Sequence, residues 1–170
     1  MSDVKILIAD DHPTLRQGLR EILDTTMGFE VVGETGDGHE ALELIKSLDP
    51  DVVLLDIELP GLNGIELTKK LTSEKSASRI LVLSAHSDRT IVSEILALGA
   101  SGYLLKDEVP TSIVNAIQGV AQGQKGWLSP KIAAQLSEFS VKDVGGPEEL
   151  TKRELEVLTE MVTGATNQDI

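Results

Sequence analysis

The 170-residue chain contains no cysteine, and its aromatic residues number only two Phe, one Tyr and one Trp. Without cysteine there is no disulfide scaffold and no thiolate metal site, as suits a reducing compartment. With so few aromatics the core must be aliphatic, and the stacking platforms used by single-strand nucleic-acid binders are missing. No run approaches the roughly 18 consecutive apolar residues of a membrane span. The opening Met1-Ser2-Asp3-Val4-Lys5 lacks the basic stretch, apolar run and cleavage site of a signal peptide. These absences predict a cytoplasmic protein without membrane contact. Positive charge is also scarce, 15 Lys and Arg against 28 Asp and Glu, for a net charge of −13. Residues 1–125 carry 11 basic and 20 acidic groups, net −9, and residues 126–170 carry 4 and 8, net −4. Neither part has the basic footprint that binds nucleic acid. A Gly-x4-Gly-Lys-Ser/Thr loop is absent too, so nothing supports nucleotide hydrolysis.

What is present alternates. Five short apolar runs, at 4–9, 30–35, 52–55, 79–83 and 102–105, are separated by amphipathic stretches. Val4, Ile6, Leu7, Ile8 and then Val52, Val53, Leu54, Leu55 are apolar with little alternation, as in strands covered on both faces. The intervening stretches place Leu15/Leu19/Ile22/Leu23, Ala41/Leu42/Ile45, Ile65/Leu67/Leu71, Ile91/Ile95/Leu98 and Ile113/Ile117/Val120 at helical spacing. Thr14, Asn63 and Asp88 are read as helix starts. The prediction is an α/β fold of five parallel strands with right-handed crossovers and helices on both faces.

The pattern changes after Gly123. Trp127-Leu128-Ser129-Pro130 is read as opening a further helix, with Ile132, Leu136 and Phe139 on one side, and 137–147 as a linker. Thr151-Lys152-Arg153-Glu154 forms a capping box before Leu155, Leu158 and Val162, with Gly164 as the stop. Thr166-Asn167-Gln168-Asp169 reads as another helix start close to Ile170, from which a chain cut within a further domain is expected. The expected organisation is therefore 1–125, a linker with a helix at 126–147, and an incomplete domain from 148 to 170.

In an open parallel sheet, ligands bind beyond the carboxyl ends of the strands. The first strand ends in Asp10-Asp11, the third in Asp56, the fourth in Ser84 and the fifth in Lys106. Three carboxylates on one rim repel one another unless a cation joins them, and a hard divalent ion such as Mg²⁺ suits oxygen ligands. Asp10, Asp11 and Asp56 bring −3, and Mg²⁺ with Lys106 brings +3. A phosphoryl group on Asp56 would add about one negative charge, to be met by the Ser84 hydroxyl and the Ala85 N–H. The same rim can bind a metal, stabilise a transferring phosphoryl group and respond to its arrival.

On these residues the chain resembles a two-component response regulator. Asp10-Asp11-His12, Asp56 within Leu54-Leu55-Asp56-Ile57-Glu58-Leu59-Pro60-Gly61-Leu62-Asn63-Gly64, Leu83-Ser84-Ala85, and Gly102-Tyr103-Leu104-Leu105-Lys106-Asp107 resemble its receiver domain. Lys106-Asp107, where many receivers carry Lys-Pro, is similar to the NarL/FixJ regulators with a LuxR-type helix-turn-helix output. The segment Leu150-Thr151-Lys152-Arg153-Glu154-Leu155-Glu156-Val157-Leu158, then Gly164 and Asn167-Gln168-Asp169-Ile170, resembles the opening of that output domain. The resemblance implies a flavodoxin-like sheet of order 2-1-3-4-5 and phosphorylation of Asp56 by a sensor histidine kinase. It implies Mg²⁺ held by Asp11, Asp56 and the Glu58 backbone carbonyl, with Asp10 helping through water. Ser84 and Tyr103 would be a switch pair and Lys106 would bind the phosphoryl group. It places kinase docking near Thr14, Leu15 and Gly18, and implies a homodimer on phosphorylation and control of transcription. DNA binding is expected of the complete protein and not of residues 1–170, where the recognition helix is missing.

Other residues carry plainer readings. His12 reads as a solvated residue at a helix start, Asp37 as a solvated turn residue, and Met27, Met161 and Trp127 as packing. Asp56-Ile57-Glu58 superficially offers the nucleophile and acid/base of a haloacid-dehalogenase phosphatase, but Leu59-Pro60-Gly61 replaces the usual Gly-Thr continuation. A flavodoxin-like cofactor binder would need a Ser/Thr/Gly loop where Asp10-Asp11 would repel phosphate. A stand-alone receiver acting through protein contacts is the remaining alternative. The sequence therefore predicts a phosphoacceptor regulator and not an enzyme.

Overall fold

The computed structural model describes residues 2–142, with backbone alone for 138–142. The readings made for residues 143–170, Met161 among them, lie outside the described residues. In chain order the elements are β1 (Val4–Ala9), α1 (Pro13–Asp24), β2 (Phe29–Thr35), α2 (Gly38–Leu48), β3 (Val52–Asp56), α3 (Gly64–Ser73) and β4 (Arg79–Ser84). Then come α4 (Arg89–Ala97), β5 (Gly102–Leu105), a 3-10 turn (Lys106–Glu108), α5 (Val109–Ala121), β6 (Trp127–Leu128) and α6 (Pro130–Lys142). All strands pair in parallel, in the order β2-β1-β3-β4-β5-β6.

Alternation along the buried strands sorts side chains into two layers. Ile6, Ile8, Val52, Leu54, Leu81, Leu83 and Leu104 face α1 and α5, where Leu19, Leu23, Ile113, Ile117 and Val120 complete an aliphatic cluster. Leu7, Val53, Leu55, Val82 and Tyr103 face the other way, toward α2, α3, α4 and α6. Strands apolar on both faces are what this double cover requires. Helix starts follow local chemistry: Asn63 and Glu66 form a reciprocal capping box on α3, and Asp88 caps α4 by accepting from Thr90 N–H.

Four expectations are corrected. A sixth strand extends the predicted five. Trp127 and Leu128 do not open a helix but pair with Gly102 and Tyr103, Trp127 N–H donating to Ser101 O and Ser129 N–H to Tyr103 O. The pairing satisfies backbone groups that β5 would otherwise leave bare, and two residues are too few to show alternation. The expected helix with Ile132 and Leu136 is α6, which buries both against the Tyr103 layer and runs on through 142, into the segment 137–147 expected as linker. Helix α1 begins at Pro13 with His12 in the N-cap position, not at Thr14, because proline favours the first turn. Met27, expected to pack, is 96% exposed in the loop after α1.

Two contacts secure the α5–β6 edge. The Trp127 ring lies so close to Gly119 of α5 that a Cβ there would come within 2.7 Å of it. Arg79, at the start of β4, donates from Nη1 to the carbonyls of Val120 and Ala121 at 2.9 and 2.5 Å. These carbonyls belong to the last turn of α5, and a cation there also suits the helix dipole. Arg79→Ala should lower unfolding free energy by about 1–3 kcal/mol, the range for charge-assisted hydrogen bonds. Urea denaturation measures this, and an unchanged midpoint would show the cap to be energetically idle.

Candidate functional site

Parallel register brings the predicted residues to one rim. Asp56 pairs with Leu83, and Leu83 with Leu104, so the next residues along β4 and β5 are Ser84 and Leu105, with Lys106 following. Asp10 immediately follows β1, whose Ala9 pairs with Leu55. Asp10 is fully buried and Asp56 is 2% exposed. Gly64 presses on the Asp56 backbone, since a Cβ at that position would sit 2.6 Å from Asp56 O. Only glycine lets α3 start this close to the strand end.

Lys106 Nζ reaches between the two buried carboxylates, 3.0 Å from Asp56 Oδ2 and 3.0 Å from Asp10 Oδ2. Asp56 Oδ1 accepts from Glu58 N–H at 3.0 Å. The contact with Asp10 Oδ2 is an ion-pair distance without hydrogen-bond alignment, so this buried oxygen accepts no hydrogen bond. Burial pushes the Asp56 carboxyl above its ordinary range; the Glu58 N–H and Lys106 pull it down, Asp10 adds to the rise, and the net direction is upward. Burial by itself would lower the Lys106 ammonium, but the Asp10 and Asp56 carboxylates more than offset that and hold it above its usual value. Asp11, more exposed, completes the acidic set, and its carboxylate lies within 4.8 Å of those of Asp10 and Asp56. Three carboxylates against one ammonium, with one buried oxygen that accepts no hydrogen bond, fit a divalent cation.

The switch-pair candidates sit one layer away. Ser84 is buried, and its Oγ accepts from His86 N–H at 3.0 Å. Tyr103 is fully buried, and its hydroxyl donates to His86 O at 2.7 Å. Burial raises the Tyr103 phenol above its normal range, more than the Ser84 hydroxyl lowers it. The His86 ring reaches Glu58, Nε2 to Oε1 at 2.6 Å. One residue therefore touches Ser84 and Tyr103 through its backbone and the β3–α3 loop through its side chain.

One residue of the site, His86, was not expected, and two others, His12 and Asp37, do more than their plain readings imply. His12 is not simply solvated: its Nδ1 lies 2.9 Å from Asp10 Oδ1 and 3.1 Å from Asp11 Oδ1. Its position directly after two strand-end carboxylates was the available signal. His86 had none, since its contacts depend on how two loops fold. Asp37 is no idle turn residue but the N-cap of α2, accepting from His39 and Glu40 N–H.

Comparison with known proteins bears on this arrangement. Residues 6–118 match the sequence model of the response regulator receiver domain. The chain belongs to the response regulator receiver family. Transcriptional regulatory protein YxjL of Bacillus subtilis is 38% identical over 98% of this receiver chain and 79% of its own length. The nitrate/nitrite response regulator protein NarL of Escherichia coli K12 is 37% identical over 97% of the chain and 78% of its own. A crystal structure of a LuxR-family two-component response regulator from Aurantimonas superposes with TM-score 0.77 at 36% identity, covering 82% of this chain and 99% of that one. The receiver thus stands among NarL- and LuxR-type regulators, and the parallel α/β fold and family expected from sequence hold. Among the described residues, no helix is long and apolar enough to cross a membrane.

Proposed function

We propose that the chain is the phosphoacceptor of a two-component relay, with Asp56 taking a phosphoryl group from a sensor histidine kinase. The observation that carries this reading is Lys106 Nζ lying 3.0 Å from both Asp56 and Asp10 at the strand ends. An Asp56 carboxylate oxygen forms a bond to phosphorus as the phosphorus–nitrogen bond of the donor imidazole breaks. Asp10, Asp11, Asp56 and the Glu58 carbonyl would hold the divalent ion, Mg²⁺, which would supply positive charge toward the phosphoryl oxygens. Lys106 supplies a fixed cation, and the Ser84 hydroxyl with the Ala85 N–H donates to oxygens that become more negative during transfer. Asp56 is modified and not turned over, so the protein acts as a regulator. The Glu58 carboxylate, engaged by His86, supports this over a phosphatase in which Glu58 would be the acid/base.

Phosphorylation then favours the arrangement with Ser84 drawn to the phosphoryl group and Tyr103 inside, a population shift at the β4–α4 loop and α4–β5 face. The expected consequence is homodimerisation in the cytoplasm. Control of transcription follows through a LuxR-type output domain that residues 148–170 would begin. DNA binding would be a property of that whole domain.

The test uses the whole chain with acetyl phosphate and intact-protein mass spectrometry. One phosphoryl adduct per chain is expected with Mg²⁺ and none after chelation with EDTA. Equal labelling with and without Mg²⁺ would remove the metal from the reaction, and no labelling in either would remove the phosphoacceptor reading.

A further inference from the structure

His12 is the group at the site that the phosphoacceptor chemistry leaves unused. Its Nδ1 lies 2.9, 3.1 and 3.7 Å from carboxylate oxygens of Asp10, Asp11 and Asp56, and 3.0 Å from Lys106 Nζ. An imidazole nitrogen carries either a proton or a lone pair. If Nδ1 is protonated, it can donate to Asp10 Oδ1 but offers the Lys106 ammonium no lone pair. If it is not, it can accept from Lys106, but its lone pair then faces two carboxylates. Neither form satisfies all four neighbours.

A cation resolves the conflict. In a six-coordinate site with bonds of about 2.1 Å, adjacent donor atoms stand about 3.0 Å apart. Nδ1 already holds that spacing to Asp10 Oδ1 and Asp11 Oδ1, and all four donor atoms lie within 4.8 Å of one another. Asp10 Oδ2, buried beside Lys106 Nζ at 3.0 Å, accepts no hydrogen bond and is a further oxygen donor at the same place. His12 is fixed there by the fold: it occupies the N-cap position of α1, and its own N–H donates to Asp10 Oδ1 at 2.8 Å.

We propose that His12 Nδ1 is a direct ligand of the divalent ion, giving the pocket a mixed nitrogen–oxygen donor set that favours first-row transition ions over Mg²⁺. Magnesium binds oxygen and keeps its waters, whereas imidazole suits Co²⁺, Ni²⁺ and Zn²⁺. The inference rests on the phosphoacceptor reading of the same pocket and adds to it a ligand and a metal preference.

Two measurements on the untagged whole chain test it. Calorimetric titration with Co²⁺ and with Mg²⁺ should show the Co²⁺-over-Mg²⁺ preference falling at least about 10-fold in His12→Phe, since disturbing even the groups that support a metal's ligands costs about 10–100-fold in affinity. Pulsed electron paramagnetic resonance of bound Mn²⁺ should show imidazole nitrogen coupling in the parent chain and none in His12→Phe. The parent spectrum alone remains decisive if the variant folds poorly. No nitrogen coupling in the parent, or an unchanged preference in a folded variant, would overturn the inference while the Mg²⁺-dependent adduct on Asp56 stands. A parent chain that binds no divalent ion and forms no adduct would overturn both.

Discussion

Asp56→Asn will acquire no phosphoryl group from acetyl phosphate and Mg²⁺ under conditions in which the parent chain acquires one. Asparagine keeps the size and the acceptor oxygen facing Glu58 N–H, but it has no anionic oxygen to attack phosphorus. Asp10 is also buried and also 3.0 Å from Lys106, so complete loss of the adduct will single out Asp56 as the acceptor. The same substitution should stabilise the folded chain in EDTA. Burial holds the Asp56 carboxyl above its ordinary value of 3.8, so the folded state binds that proton more tightly than the unfolded chain does. Stability from such a group is full below the unfolded value and is lost as pH rises through the folded one. Ionised Asp56 therefore weakens the fold at neutral pH. Asp56→Asn should melt above the parent at pH 7, with the difference closing as pH falls below the ordinary carboxyl value. Mg²⁺ should raise the parent's Tm and leave the variant's nearly unmoved. An adduct surviving on the variant would place the acceptor elsewhere, and a variant Tm below the parent's at pH 7 would contradict the burial penalty.

Ile132→Ala combined with Leu136→Ala will remove several kcal/mol of stability, although both residues lie beyond the last of the five predicted strands. Both are buried in the layer that contains Tyr103, Val82 and Leu105. Truncations of buried Leu or Ile to Ala lose about 2–5 kcal/mol each. Together they approach the whole stability of an ordinary domain, about 5–15 kcal/mol. The N-terminal end of α6 is fastened as well: Lys131 N–H donates to Glu108 Oε1 at 3.2 Å, and Lys131 Nζ to Asp107 Oδ2 at 2.7 Å. The residue that stands where many receivers carry proline is thus the one that pairs with α6. Urea titration should show a large fall in midpoint for the double variant and less than about 0.5 kcal/mol for Ser137→Ala, whose exposed hydroxyl bonds only within its helix. A double variant within about 1 kcal/mol of the parent would mean that α6 does not cover the sheet.

How far the molecule could be read from its sequence depends on the range of the forces involved. The strands at 4–9 and 102–105 match β1 and β5 residue for residue, because double burial writes a mostly apolar run into the chain, broken in β1 only by the exposed Lys5. Asn63 and Asp88 were legible as caps because capping is a contact over three residues. Strand β6 was not, since two residues show no period and the pairing depends on a partner 25 positions away. Asp10, Asp56 and Lys106 were legible as one site because parallel topology puts all strand ends on one rim. The place of His12 among the carboxylates and the bridge from His86 to Glu58 were not. Each depends on loop conformations that no periodic pattern records.

The wedge of Trp127 against Gly119 gives the protein a built-in optical readout. The chain has a single tryptophan and a single tyrosine, and the two sit on neighbouring strands in different packing layers. Trp127 packs with the α1/α5 layer, and Tyr103 lies in the opposite one. Tryptophan emission will report whether the β6 edge stays docked, and tyrosine ultraviolet absorption will report the surroundings of the phenol beside His86. A rearrangement confined to Ser84 and Tyr103 will alter the second signal and leave the first flat. Release of β6 and α6 from the sheet will move both, so two steps that a single dye would merge can be timed separately in the unlabelled protein.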